Sequence, residues 1–280
     1  MMGTYGIYLE DGDDITVNSD VNMTVNGGAY MVDGIFMGHM GAAEAAKTKL
    51  TINGNVTMRG TGNDQSSDDF WGIKGTGEDG GYPTYMGSRW APEGIYLGKE
   101  GGSSITVNGN VDMDVTGVAL QANKDGFITV RGGKIKTHEI KTSETYAMLA
   151  EEGSVFMNTG TNGNEPGTED VEVYGNLGVI NKNYGWDPNP GNHASLVSIA
   201  LTTSKSKLTG GVLNEFAENG NNPHQSGIDI YLKNGGLWEN RWIGTERAAA
   251  VQKRENKDSY LYTGSKVRKL IGGASEAERG

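Results

Sequence analysis

Two acidic residues, Asp112 and Asp114, have a spacing that carbohydrate chemistry could use. They alternate with apolar residues in VDMDV (111–115), so both point to the same face of one predicted strand. Residues two apart on a strand lie about 7 Å apart, which overlaps the carboxyl separation of about 6.5–9.5 Å in inverting glycosidases. A solvent-facing strand would also carry such a pair. We favour that second interpretation and expect no catalytic residue.

Clustered carboxylates could also bind calcium, which prefers oxygen ligands. The segments EDGDD (10–14) and SSDD (66–69) are acidic, but neither has EF-hand spacing, and both are typical of charged turns. Zinc would need paired histidines. The chain has four, all far apart in the sequence: His39, His138, His193 and His224. We therefore expect no metal site and no cofactor.

Aromatic residues in polar, glycine-rich segments are the better candidates for binding, because such rings stack on sugars or anchor protein contacts. The candidates lie in two segments: Tyr82, Tyr85, Trp90, Tyr184 and Trp186. The alternative is that these rings fold back over the body of the protein. We expect that alternative for Trp71, Trp238 and Trp242.

Composition limits the function further. The net charge of −11 opposes binding to nucleic acid or to anionic membranes. The absence of cysteine excludes thiol nucleophiles, thiolate metal sites and disulfides. The first residues, MMGTYGIYLEDG, have no basic segment followed by an apolar run, so no signal peptide is visible. The chain is therefore either cytoplasmic or an excerpt of a larger exported protein.

A nine-residue phrase recurs at irregular distances and predicts the elements that position these residues. It appears as ITVNSDVNM (15–23), LTINGNVTM (50–58), ITVNGNVDM (105–113) and, more weakly, VEVYGNLGV (171–179). A Gly-Ile-Tyr-Leu segment precedes two of the copies, so each repeat would consist of three short strands. In the third copy, the alternation predicts that Ile105, Val107, Val111, Met113 and Val115 point inward.

The middle of the phrase predicts a turn, because Gly and Asn reach left-handed backbone angles at low cost. Three asparagines occupy the same turn position, so their side-chain amides could stack into a ladder along the protein. The residues of this predicted turn ladder are Asn18, Asn53 and Asn108, with Gly54 and Gly109. An Asn-Gly pair could also close an antiparallel hairpin. The third strand in each repeat favours stacked parallel strands instead.

These patterns predict an all-β protein, specifically a right-handed parallel β-helix. It would be a three-sided solenoid of about eight coils, roughly 40 Å long at about 4.8 Å per coil. We expect a single domain, 1–280, that is a fragment of a larger exported protein. Insertions would interrupt it at about 59–93, 159–169 and 181–195. Loops of this kind often carry binding function.

Two further motifs lie near the end of the sequence. The first motif consists of Asn234, Gly235, Trp238 and Asn240. The second consists of Gly264, Ser265, Val267 and Leu270. With these motifs the sequence resembles the passenger region of bacterial autotransporters (type V secretion), especially adhesin-like ones. The resemblance implies a β-helix displayed at the cell surface. In the full-length protein, a C-terminal membrane barrel that this sequence lacks would anchor it in the outer membrane.

We therefore expect a non-catalytic, surface-displayed passenger segment whose loops bind host or bacterial surface glycans or proteins. It would have no nucleic-acid partner and would contact the membrane only through the missing barrel. Uncapped end coils would expose strand edges, so end-to-end self-association is also expected. Two alternatives from other classes stay open. One is a carbohydrate-active β-helix enzyme, a polysaccharide lyase or glycosidase. The other is a glycan binder of the phage tail-fibre type.

Overall fold

The computed structural model describes eleven stretches of the chain: 3–10, 12–26, 31–38, 46–61, 93–98, 102–123, 125–139, 145–181, 194–216, 226–244 and 267–272. These stretches form 20 strands and no helix, which confirms the all-β prediction for the described residues. Accordingly, none of them belongs to a helix long and apolar enough to span a membrane.

The strands follow one another in seven repeats. The first three repeats are β1 (Gly3–Leu9), β2 (Asp14–Val17) and β3 (Val21–Asn26); β4 (Met31–Met37), β5 (Lys49–Ile52) and β6 (Val56–Thr61); and β7 (Glu93–Leu97) with the long β8 (Ser104–Thr116). The fourth and fifth are β9 (Val118–Asn123) with the long β10 (Phe127–His138); and β11 (Tyr146–Glu151), β12 (Ser154–Met157) and β13 (Val171–Tyr174). The last two are β14 (Asn176–Asn181), β15 (Leu196–Leu201) and β16 (Lys207–Thr209); and β17 (Val212–Phe216), β18 (Gly227–Leu232) and β19 (Leu237–Glu239), followed by β20 (Lys269–Gly272).

Equivalent strands of successive repeats pair side by side in three ladders, and every pairing between named strands is parallel. The first ladder runs β1-β4-β7-β9-β11-β14-β17. The second runs β2-β5-β8-β10-β12-β15-β18-β20, and the third runs β3-β6-β8-β10-β13-β16-β19. Strands β8 and β10 belong to both of the last two ladders because each continues around the corner between them. The antiparallel hairpin alternative is therefore wrong.

In-register pairing places similar apolar residues above one another. In the first ladder Ile35 pairs with Ile95, which pairs with Leu120. In the second and third, Ile105 pairs with Ile128 and Met58 with Met113. All of these side chains belong to one core cluster that receives residues from all three ladders. Each repeat therefore buries its apolar side chains chiefly against the repeats before and after it.

A buried amide ties together the corner between the third and first ladders. The Asn176 Nδ2 donates to the carbonyl oxygens of Thr145 (3.0 Å) and Ile243 (2.7 Å). Its Oδ1 accepts from the backbone N–H groups of Gly211 (3.0 Å) and Ile243 (2.9 Å). These groups belong to successive repeats, and Asn176 is fully buried. One side chain therefore satisfies backbone groups from three other positions along the corner.

Of the three predicted insertions, the one at 159–169 lies within the described residues. It folds flat against the second ladder, because the carbonyl oxygen of Gly163 accepts hydrogen bonds from Ser198 Oγ (2.8 Å) and Tyr231 OH (3.0 Å). Gly163 has a φ of 68°, a backbone conformation that favours glycine. For the other two insertions, residues 62–92 and 182–193 lie outside the described part of the chain.

The two ends of the core differ. In the first repeat, Leu9 and Val25 are buried. Five other interior-facing side chains of this repeat are only partly buried: Ile7, Ile15, Val17, Val21 and Met23. At the other end, Trp238 packs against the core and donates from Nε1 to the Gly210 carbonyl (3.0 Å). The Trp242 ring meets Tyr146 edge-on, with ring centroids 6.2 Å apart. Buried Asp229 there holds Arg268 through two hydrogen bonds.

We expect Leu120→Ala to lower the free energy of unfolding by about 2–5 kcal/mol, because it leaves a cavity in the core. Leu237→Ala is the matched control, since Leu237 is 54% exposed whereas Leu120 is 0% exposed. The control should change stability by at most about 0.5 kcal/mol. Urea denaturation followed by circular dichroism measures both. Equal effects of the two substitutions would contradict a core built at this position.

Candidate functional site

The aromatic residues predicted to bind ligands, Tyr82, Tyr85, Trp90, Tyr184 and Trp186, lie outside the described residues. The described chain brings a different set of rings together on the outer face of the first ladder. Tyr8 and Phe36 stack with ring centroids 5.2 Å apart, and Phe36 and Tyr96 stack at 5.2 Å. Tyr5 lies beside them, 5.0 Å from Phe36. These stacked rings form a column running across three repeats.

The Gly-Ile-Tyr-Leu segments contain the signal for this column. Tyr8 and Tyr96 hold the third position of GIYL, and Phe36 holds the same position of GIFM. In-register pairing then stacks the three rings. Glycine two residues further along leaves room for the ring, because a Cβ at Gly98 would lie 2.5 Å from Cε1 of Tyr96. Sequence reasoning used these segments to predict strands and missed the aromatic stack.

A polar network continues the aromatic column in the fourth and fifth repeats. The Asn123 Nδ2 donates to Glu151 Oε2 (3.3 Å) and to Tyr96 OH (3.4 Å), and Gln121 Nε2 donates to Asn123 Oδ1 (3.2 Å). Gln121 is fully buried, and its Oε1 has no hydrogen-bond partner. Rings beside amides and a carboxylate are the groups that bind sugars. Because the network is buried, the folded chain does not present it as an open surface.

The predicted turn residues meet at the corner between the second and third ladders. The Asn53 Nδ2 donates to Asn18 Oδ1 (2.6 Å), and the Asn108 Nδ2 donates to Asn53 Oδ1 (2.8 Å). The amide row stops at the fourth repeat, where Arg131 alone spans the corner and the register of β8 and β10 shifts. The three amides therefore join the first three repeats.

A second row of hydrogen bonds follows the first and escaped the sequence analysis. Asp20 Oδ1 accepts from the Asn55 backbone N–H (2.7 Å), and Asn55 Oδ1 accepts from the Asn110 backbone N–H (2.9 Å). The two rows flank the stacked residues Gly54 and Gly109. Together they link three successive turns on both sides of this corner.

The sequence predicted that Gly54 and Gly109 are needed for left-handed backbone angles at this corner, and that prediction is wrong. Neither Gly54 nor Gly109 has a positive φ. They are required because successive turns stack closely: a Cβ at Gly109 would overlap the carbonyl of Gly54, and a Cβ at Gly54 would overlap the backbone of Ser19. Close backbone approach, and not a left-handed conformation, selects glycine here.

The outer face of the third ladder, here called the charged face, is exposed and carries alternating charges. The two acidic residues considered for catalysis lie on it. Asp112 accepts a hydrogen bond from Arg59 Nη2 (2.9 Å). Asp114 contacts His138 Nε2, and the Lys136 Nζ lies 3.9 Å from it. Both carboxylates are thus compensated by cations on neighbouring strands, which supports the solvent-facing interpretation.

The remaining charges of this face also form pairs between adjacent strands. The Lys134 Nζ lies 2.9 Å from Glu172 Oε2, and this contact raises the pKa of Lys134. The Lys207 Nζ lies 3.0 Å from Glu239 Oε2, and its hydrogen bond lowers the pKa of Glu239. Each pair favours the ionised forms at neutral pH. Because these side chains are exposed, solvent screens each pair, and the pairs add little to the stability of the fold.

Metal binding has no support within the described part of the chain, where no three His, Asp or Glu side chains cluster closely enough to hold an ion. Of the two acidic segments considered for calcium, residues 66–69 lie outside the described residues, and EDGDD is described except at residue 11. His138 is the described histidine, and it contacts Asp114.

Comparison of the chain with protein-family profiles, with characterised proteins and with solved structures finds no match. What the protein does is therefore inferred from its ladders, corners and outer faces. Two features of the outer faces are distinctive: the stacked rings of the first ladder with the buried polar side chains that continue them, and the open charged face of the third ladder.

We expect Asn53→Ala to destabilise the protein more than Asn18→Ala, because Asn53 makes two amide hydrogen bonds in the row and Asn18 makes one. At about 1 kcal/mol per bond, the losses in unfolding free energy should be about 2 and about 1 kcal/mol. Thermal or urea denaturation measures the difference. Equal losses, or none, would show that the amide row does not stabilise the corner.

Proposed function

We propose that the chain is a three-sided, right-handed parallel β-helix with about eight coils. Three parallel ladders that each receive one strand per repeat support this proposal, as does the single core that all three ladders share. Seven repeats and the additional strand β20 account for the coils. Right-handedness is the expected hand, because parallel strand–crossover–strand connections are right-handed in nearly all proteins.

We further propose that this β-helix is a non-catalytic passenger segment of an autotransporter-like adhesin, displayed at the bacterial surface. The regular stacking of repeats is the observation that carries the proposal, since it suits a rigid spacer that holds loops away from a cell. The passenger-like motif is consistent with it: Asn234 and Gly235 form a turn with positive φ (50° and 85°), and Trp238 in β19 closes against the core.

The partners we propose are surface glycans or proteins, and not nucleic acid, because the net charge of −11 repels phosphate. End-to-end association is a second proposed contact. The partly buried interior side chains of the first repeat support it, since a further layer of strands could cover them. Outer-membrane anchoring would come from a barrel elsewhere in the full-length protein.

The enzyme alternative rests on Asp112 and Asp114, and their surroundings favour a structural role. Asp112 has Arg59 and Asp114 has Lys136 as a cationic neighbour on an exposed face, whereas a catalytic acid needs an environment that keeps it protonated. A lyase would likewise need its charged groups to converge on a substrate groove. We therefore propose binding without cleavage.

Surface display predicts that antibodies raised against this chain label intact cells of the source bacterium. Protease treatment of the intact cells should remove the labelled protein, while a cytoplasmic marker survives. Labelling that appears only after the cells are permeabilised would contradict display. The same preparations show the length of the native protein on an immunoblot.

Binding without cleavage predicts that the purified chain retains surface polysaccharides or proteins on an array and releases no sugar fragments. Asp112→Asn and Asp114→Asn should leave binding unchanged, because their carboxylates pair with Arg59 and Lys136 of the same face. The enzyme alternative would be established instead if the chain released reducing ends or unsaturated products and either substitution abolished that release. Chromatography of digested polysaccharide measures such release.

A further inference from the structure

The charged face carries two rows of side chains that the parallel register aligns from the second repeat to the seventh. The first row is Thr57, Asp112, Lys134, Glu172, Lys207 and Leu237. The second row is Arg59, Asp114, Lys136, Tyr174, Thr209 and Glu239. The charged side chains of both rows are between 40% and 68% exposed. The face is therefore open to solvent along six repeats.

If one of these rows is placed against a copy of itself that runs in the opposite direction, no charged side chain meets another of the same sign. If a second copy is turned by 180° about an axis parallel to the strands, between the fourth and fifth repeats, each row meets itself running backwards. Lys134 then faces Glu172 of the second copy, and the same pair forms again on the other side of the axis. Asp112 likewise faces Lys207.

The second row obeys the same symmetry. Arg59 in the second repeat faces Glu239 in the seventh, and Lys136 faces the Tyr174 ring, which favours a cation–π contact. Asp114 faces the neutral Thr209. No two like charges meet in either row. Such complementarity fixes orientation and register, which are the properties that specific charged interfaces require.

The balance of charge also favours this face over the rest of the surface. Its two rows contain four basic and four acidic side chains, so they are neutral together, while the whole chain carries −11. Two copies repel each other through most of their surface. They approach with least repulsion where the charge is balanced.

We propose that two copies of this protein associate side by side and antiparallel through the charged face of the third ladder. Six strands at about 4.8 Å and about five residues per strand give roughly 450 Å² per copy. This is below the roughly 800 Å² per partner of a stable complex, so the association is weak and suits many copies held close together. This proposal rests on the register of the third ladder alone, so it stands whether or not the protein is displayed at the cell surface.

The test uses two single charge reversals, Lys134→Glu and Glu172→Lys, in sedimentation velocity from micromolar to millimolar concentration. Each variant alone places like charges opposite each other twice, so its association should be at least about tenfold weaker than that of the unmodified chain. An equimolar mixture of the two variants restores opposite charges at both contacts. The mixture should therefore associate about as strongly as the unmodified protein.

Lys49→Glu is the matched control. It reverses an exposed lysine that pairs with Asp14 on the second ladder (3.9 Å), away from the charged face, and should leave association unchanged. Thermal melts establish that every variant is folded. Three results would overturn the proposal: an unmodified chain that stays monomeric, single variants that associate as well as it does, or a mixture that fails to associate. The second result would point to contact through the open first repeat.

Discussion

Parallel pairing in register between successive repeats is the constraint on which the rest of this structure depends. It stacks each residue on its equivalent in the next repeat, whatever length of chain lies between them. Apolar residues thereby form one shared core, as with Ile35, Ile95 and Leu120. The same alignment places equivalent outer positions of successive repeats in a row. A residue type that recurs at one position of the repeat therefore lines a whole face.

The three kinds of row follow from the side chains that occupy them. Rings at the third position of Gly-Ile-Tyr-Leu stack across repeats, and those of Phe36 and Tyr96 cover the glycine two residues further along. Amides such as Asn53 can donate and accept at once, so they continue a hydrogen-bonded row that an acceptor-only carboxylate would end. Alternating Lys and Glu on the third ladder avoid the repulsion that identical charges would create about 4.8 Å apart.

Much of this order could be predicted from the sequence because the nine-residue phrase has strict internal spacing. It indicates short strands, an inward set that includes Ile105 and Met113, and the corner at which Asn18, Asn53 and Asn108 make their amide contacts. The role of Gly54 and Gly109 could not be predicted, since close backbone stacking and a left-handed turn select the same residue. Only the distance between successive turns distinguishes them.

Other features could not be predicted, because no short stretch of the sequence indicates them. Asn176 is one asparagine among many, and its partners Thr145 and Ile243 are far from it in the sequence. The alternation along the charged face becomes visible only when the register is known, because segments of different length separate its residues. The insertion at 159–169 looks like a projecting loop by composition, yet hydrogen bonds from Ser198 and Tyr231 hold it down.

The amide row has a consequence for the chemical ageing of the protein. Asn53 and Asn108 each precede a glycine, the neighbour whose backbone nitrogen most easily attacks the asparagine side chain with loss of ammonia. The product after hydrolysis carries a carboxylate, or an isomerised backbone with one additional atom. At Asn53 a carboxylate has no hydrogen to give Asn18, and an additional backbone atom would disturb the close stacking at Gly54. Deamidation at this corner would therefore weaken the contact between the first repeats, while the parallel strand pairing continues to hold them together.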